Sequence, residues 1–345
     1  MEEKNYATVE SLTAQANERY LKYMNEGRLR DILKVMGLMP DYTVMNDVLI
    51  MSQMPNVKLV KRLTGWNKDG RKVKEHQKSL KIISPCLKKY NQDYTDENGN
   101  VFTKGIEKLD LSVGHVFDIS QTEGREYPYL NTNKETIAKF FEAAKNSLER
   151  TAKGYKFEYV DQEPFAKMDK ENKVVYIKDG LSIDELINTL INQTTRVLID
   201  SRRPEGITSK TVENIDDIEY NCALYAIKSK LGLNLPDFND DAITNLSDEE
   251  KLEFKNNLQK VRSVSMQLLS NFETAIEIAI RGLEKQTQKV EEEVKAQEKT
   301  EEVKAPVEKK TAKKTSSKSK KAESEVENEI RWWTFVLAYW YWLFI

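Results

Sequence analysis

The apolar residues of this chain change period at Pro55, and that change decides what it can fold into. Before it, Leu12, Ala16, Tyr20 and Tyr23 recur at three- and four-residue spacing, which predicts helices over 8–36. Val44, Val48, Leu49 and Met51 repeat the pattern over 42–53, and Pro55 disfavours helical backbone in the residue ahead of it. Beyond it, Val57, Leu59, Val60, Leu80, Ile82 and Ile83 fall in short β-like runs around the turn Asn67-Lys68-Asp69-Gly70. Asp96-Glu97-Asn98-Gly99-Asn100 marks another turn, 113–119 is a further strand, and the loop Tyr127-Pro128-Tyr129 closes the unit.

Helical period then returns. Ile137, Phe140, Phe141, Ala144 and Leu148 share a face over 133–150, followed by strands at 156–160 and 174–177 separated by a charged turn. Ser182 and Glu185 have the spacing of a capping box ahead of Leu186, Ile187, Leu190 and Ile191. A helix over 216–231 ends at Gly232 as its C-terminal cap, and 248–283 reads as one or two amphipathic helices. The predicted class is α+β: a mixed helix and sheet domain over 1–130, then a mainly helical domain over 131–283.

From 284 to 329 the chain is Lys, Glu, Ala, Thr and Ser without an aromatic residue, too polar to offset its ordering entropy. It is expected to be largely disordered, with a first part able to continue a helix. Within it Lys309 to Lys321 carries seven lysines and no acid, which reads as a solvated tail with weak nucleic-acid contact as a lesser role. Residues 330–345 turn abruptly aromatic, with Trp332, Trp333, Trp340 and Trp342 among them. The stretch falls short of the roughly 20 apolar residues of a spanning helix. It is read as a frameshift or truncation scar ahead of a short membrane contact through Trp332–Ile345.

The whole chain of 345 residues carries a formal charge of −2, which excludes a uniformly basic protein. The distribution is another matter. Between Lys58 and Lys89 eleven Lys or Arg face two acids, Asp69 and Glu75, a local charge of +9. Single-strand binders need cations along phosphates and flat side chains under unstacked bases. Lys61, Arg62, Lys68, Arg71, Lys72 and Lys74 surround Trp66 as a candidate stacking platform, with Tyr42 and Phe117 placed either beside it or in the core. Asp110 and Asp118 are the acids able to offset the patch, and a plain solvated face is the competing reading. Two cysteines, Cys86 and Cys222, without a CxxC pair exclude a zinc ribbon or a disulfide framework. With a charged start and no secretory pattern, they fit a reducing cytoplasm.

An ordered set of motifs carries a resemblance. Tyr42-Thr43-Val44-Met45-Asn46, Leu49-Ile50-Met51-Ser52-Gln53-Met54-Pro55, Gly65-Trp66, Gly70-Arg71-Lys72-Val73-Lys74, Ile82-Ile83-Ser84-Pro85 and Val116-Phe117-Asp118-Ile119-Ser120-Gln121-Thr122 follow in that order. They resemble the N-terminal domain of ArdC-type antirestriction proteins of plasmids, phages and conjugative elements, over about residues 10–130. The resemblance implies non-specific binding of single-stranded DNA. One departure is His76-Gln77-Lys78-Ser79, where that family has a glycine and an acid.

The second domain of that type resembles a zinc metallopeptidase, so the resemblance also implies a zincin-like domain with an HExxH helix and a later glutamate. Zinc chemistry there needs imidazoles at i and i+4 and a Glu to activate water. In the matching frame this chain has Asn192-Gln193-Thr194-Thr195-Arg196, with Glu219 where the third ligand falls. Asn192 is a poor zinc ligand, Gln193 cannot act as a base, and Arg196 is a permanent cation. The only histidines, His76 and His115, lie in the first domain, and a Glu219–Cys222 pair alone is a weak site. The expectation is an inactivated peptidase-like domain with no metal, no cofactor, no catalytic residues and no enzymatic activity, and with Arg196 paired to Glu219. The competing readings make Glu219 a surface acid, or the second domain a partner-docking module.

Overall fold

The structure is a computed structural model that describes residues 7–39, 41–95, 101–125 and 133–302, with side chains through residue 288 except that of residue 102. The turn at 96–100, the loop at 127–129, the lysine run 309–321 and the aromatic terminus 330–345 lie outside the described residues.

Helix α1 (Val9–Asn25) starts at a reciprocal cap in which Thr8 Oγ1 accepts from the Ser11 amide and Ser11 Oγ accepts from the Thr8 amide. Helices α2 (Leu29–Leu38) and α3 (Val44–Gln53) follow, so the helices expected over 8–36 are α1 and α2, parted at Gly27. Next come β1 (Val60–Lys61), α4 (Leu63–Lys68), β2 (Arg71–Val73), β3 (Leu80–Thr95), β4 (Val101–Asp118) and β5 (Thr122–Gly124). Strands β1, β4 and β3 make one antiparallel sheet in that order, and β2 pairs with β5. Helix α4 stands in the segment read as β-like, being too short to show a period. Strands β3 and β4 run far beyond the runs expected at 80–83 and 113–119. Their outer halves are exposed on both faces, so no apolar alternation marks them.

The remainder comprises α5 (Lys134–Lys139), α6 (Phe141–Thr151), β6 (Lys156–Val160), β7 (Ala166–Asp169), β8 (Val174–Lys178), α7 (Ile183–Asp200), α8 (Ile215–Leu231), α9 (Asp241–Thr244) and α10 (Asp248–Glu302). Strand β8 pairs parallel with β6 and antiparallel with β7, and β7 occupies the segment read as a charged turn. The two expected caps are present: the Ser182–Glu185 box opens α7, and Gly232 at φ +64 closes α8 in left-handed backbone. Helix α10 continues past residue 284, so the first part of the segment read as a polar tail is helical. No described helix is long and apolar enough to cross a membrane.

Residues through Gln286 form one compact unit. The main apolar core takes in Leu33 and Met36 of α2, Ala226 and Ile227 of α8, and Leu258 and Val261 of α10, with a smaller cluster of Leu12, Ala16 and Leu49 on α1 and α3. The boundary expected near 130 falls inside this unit, because α2 and α8 come from opposite sides of it and bury their apolar faces together. Their contact is backbone to backbone. A Cβ built on Gly37 would stand 2.1 Å from the Ala226 carbonyl oxygen. Gly37→Ala is therefore expected to lose about 1–3 kcal/mol by overpacking, although alanine is the better helix former. Denaturant unfolding that shows unchanged or raised stability would contradict this contact.

One buried acid has no compensation in the core. Asp47 of α3 is 1% exposed, and neither carboxylate oxygen has a hydrogen-bond partner among the described residues. Burial pushes its carboxyl well above the usual range, only partly opposed by the Arg262 charge. The folded chain thus keeps a proton that the unfolded chain releases near pH 4. Its contribution to stability is whole below that pH and is lost as pH rises through the folded value. Asp47→Asn cannot ionise. Thermal unfolding should show a Tm gain over wild type at pH 7 that shrinks toward pH 4, whereas a gap that widens toward pH 4 would reverse the assignment.

Candidate nucleic-acid interface

The basic segment is organised by a buried acid. Asp118, fully buried at the end of β4, accepts from the amides of Lys58 at 2.8 Å, Leu59 at 2.9 Å and Ser120 at 2.9 Å. Its carboxylate holds the backbone entering the segment and is not on the surface to offset the lysines. Asp110 bonds Lys88 and the Tyr90 hydroxyl, and Lys61 is paired with Asp69 at 2.7 Å. Of the two acids in the segment Asp69 is thus paired, whereas Glu75 is exposed, and Glu123 of β5 stands opposite Lys72.

The cations divide into two sets. Arg71 is structural: Nε donates to Thr122 Oγ1 at 2.8 Å, and the guanidinium also reaches the carbonyls of Thr122 and Arg125, tying β2 to β5. Lys74 Nζ donates to the Ser120 carbonyl at 3.0 Å, and Arg62 donates to Ser84 Oγ on β3. By contrast Lys58, Lys68, Lys72 and Lys78 are exposed, and their ammonium groups meet no acceptor among the described residues. Of the candidates named from sequence, Lys68 and Lys72 thus present free charge. Lys58 and Lys78 belong to the same basic stretch and were legible there as charge.

Trp66 requires a correction. Its ring is fully buried, and Nε1 donates to the Phe117 carbonyl at 2.8 Å, which locks α4 onto β4. A base cannot stack on it. Trp66 is the buried residue of a six-residue helix and a large apolar payload, so this single Trp is core. Tyr42 packs against the core with its hydroxyl on the Val60 carbonyl at 3.3 Å, and burial raises its phenol pKa. Phe117 is half-buried.

The helix pair α7–α8 also departs from expectation. Arg196 does not reach Glu219. Its guanidinium pairs with Asp217 at 2.8 Å and lies 3.8 Å over the Tyr220 ring. Helical geometry explains the choice: at about 100° per residue, positions 217 and 220 share the face toward Arg196, while 219 points about 200° from 217. Glu219 turns inward instead and is 1% exposed, so it is no surface acid. Lys260 Nζ of α10 donates to its Oε2 at 2.6 Å, and Asn257 Nδ2 donates to its Oε1 at 2.8 Å. Asn257 also exchanges two hydrogen bonds with the Ile207 backbone, each 2.9 Å. The signal that could have found these partners is Asn257 and Lys260 at i and i+3, two polar residues flanking the apolar stripe Phe254, Leu258 and Val261.

These residues do not fit a zinc ion. An amide and a guanidinium stand at 192 and 196, and both Glu219 oxygens are committed. Asn192 Oδ1 and Thr195 Oγ1, one turn apart on α7, are buried without partners among the described residues, a capacity for hydrogen bonds and not a ligand set. Cys222 is fully buried on α8, and burial raises its thiol pKa, which disfavours the thiolate a metal needs. Among the described residues no group of three His, Cys, Asp or Glu side chains could hold a metal.

No family model matches the chain, and no curated protein matches it. Among solved structures it is similar to the metal-free crystal structure of the antirestriction ArdC protein from plasmid R388, at 17% identity and a TM-score of 0.38, over 75% of this chain and 97% of that one. The Mn(II)-bound structure of the same plasmid protein gives 16% identity and a TM-score of 0.37 over the same shares.

Proposed function

We propose that this chain binds single-stranded DNA without strong sequence preference, in an antirestriction role on a mobile element, and that its α7–α8 region is a peptidase-like unit without catalysis. The observation that carries the first part is the free set Lys58, Lys68, Lys72 and Lys78, exposed in a segment whose own acids are only Asp69, paired with Lys61, and Glu75. Phosphates would take these ammonium groups as point charges, which suits a partner recognised by its backbone. The antirestriction role rests on the ordered motifs between residues 42 and 122.

The second part is supported by the Lys260–Glu219–Asn257 arrangement, in which a side-chain cation lies against the carboxylate that a metal would need. Metal analysis of the purified full chain is expected to find no stoichiometric zinc; one zinc per chain would overturn it. For the first part, full-chain protein is titrated against a fluorescent oligonucleotide. Lys68→Ala/Lys72→Ala/Lys78→Ala is expected to weaken binding across sequences alike. Unchanged affinity in that variant would remove the assignment of these lysines.

A further inference from the structure

Burial of Trp66 leaves the interface without its expected stacking ring, and an exposed ring, Tyr90, lies on the β3–β4 ribbon that continues from the basic segment. The register places Lys88 opposite Lys108, Tyr90 opposite Ile106 and Gln92 opposite Lys104, with Ser84 opposite Ser112 further back. Directly opposed residues of an antiparallel pair share a face and every second residue returns to it, so all of these lie on one side of the ribbon. The other side carries Leu87 opposite Leu109 and Lys89 paired with Glu107, apolar and charge-balanced.

The first side differs in three respects. Tyr90 is 40% exposed, and its hydroxyl donates to Asp110 at 2.8 Å, which fixes the ring while leaving part of it to solvent. Lys104 and Lys108 are exposed with no partner among the described residues, while the one acid of this side, Asp110, is taken by Lys88 and Tyr90. Arg62 reaches Ser84 at the root of the same side, which joins the ribbon to the basic segment. From Ser84 to Tyr94 the strand extends about 33 Å, enough to continue a strand-binding track.

We propose that this side of the ribbon is a second contact for single-stranded DNA, with Tyr90 as the stacking platform and Lys104 and Lys108 on phosphates. The inference rests on the single-strand reading above. A flat exposed ring between cations suits unstacked bases, since stacking tolerates every base and backbone contact supplies the charge.

The test uses the full chain and a fluorescein-labelled thymidine oligonucleotide of about 20 nucleotides, longer than one site of the usual range. Tyr90→Ala should weaken binding at least about fivefold, and Tyr90→Phe should restore it. Lys104→Ala/Lys108→Ala should lower the salt slope by about 1.4. Leu87→Ser on the opposite side should leave affinity unchanged, and duplex competitor should displace the oligonucleotide poorly. If wild type binds and the Tyr90 and Lys104/Lys108 variants bind equally well, the ribbon contact is wrong and the single-strand reading stands. Equal losses in the Leu87 variant, or efficient displacement by duplex, would overturn the assignment of this face to single strands. If wild type does not bind at all, both fall.

Discussion

Lys260→Met is expected to cost about 3–5 kcal/mol of stability, because it leaves the Glu219 carboxylate buried without its cation. Lys260 and Glu219 have side chains only 4% and 2% exposed, at 2.6 Å, so water cannot compensate the loss. Asn257 holds the other oxygen but carries no charge. Urea unfolding of the single and double variants separates a buried charge from a merely lost contact. Glu219→Met/Lys260→Met should recover most of the loss, since an apolar pair of similar volume carries no desolvation penalty. Additive losses in the double variant would mean that the two residues act independently and that the pair has been misassigned.

Trp66→Ala is expected to cost a similar amount, about 3–5 kcal/mol, as the removal of a fully buried large aromatic. Part of that is the hydrogen bond from Nε1 to the Phe117 carbonyl, the link between α4 and β4. Trp66→Phe keeps most of the volume and loses that bond. It should be less destabilising than Trp66→Ala, and at temperatures where it remains folded its oligonucleotide affinity should equal that of wild type. A large affinity loss in a stable Trp66→Phe protein would return the indole to the interface.

The two residues show where sequence reasoning carried and where it stopped. Helix period, the Ser182–Glu185 box and the Gly232 cap were legible because they depend on neighbours within four residues. The α+β class followed from the change of period at Pro55. What sequence could not show was which way a side chain faces once elements pack. Trp66 among cations reads as a platform until α4 folds its indole onto Phe117. Glu219 and Arg196 lie where a pairing is natural, yet the turn of α8 sends Glu219 toward a helix 38 residues on at Asn257. The shared core of α2 and α8 was hidden for the same reason, since residues 37 and 226 are joined only by tertiary contact. The outer ribbon was missed because strands solvated on both faces have no alternation to read.

The free lysines were legible as charge but not as free. Charge counting gave +9 between Lys58 and Lys89, and only the structure separates, among those eleven cations, the bound Lys61, Arg62, Arg71, Lys74, Lys88 and Lys89 from the exposed and unbound Lys58, Lys68, Lys72 and Lys78, with Lys81 half-buried. Binding strength should therefore follow the second set.

The most direct measurement of the central claim is the affinity of the full chain for a fluorescent single strand at a series of salt concentrations. At least three of the four free lysines on phosphates should give a slope of log K against log salt of about −2 or steeper. Adding the ribbon lysines would make it steeper still. A slope near zero, or no binding at low salt, would contradict the account.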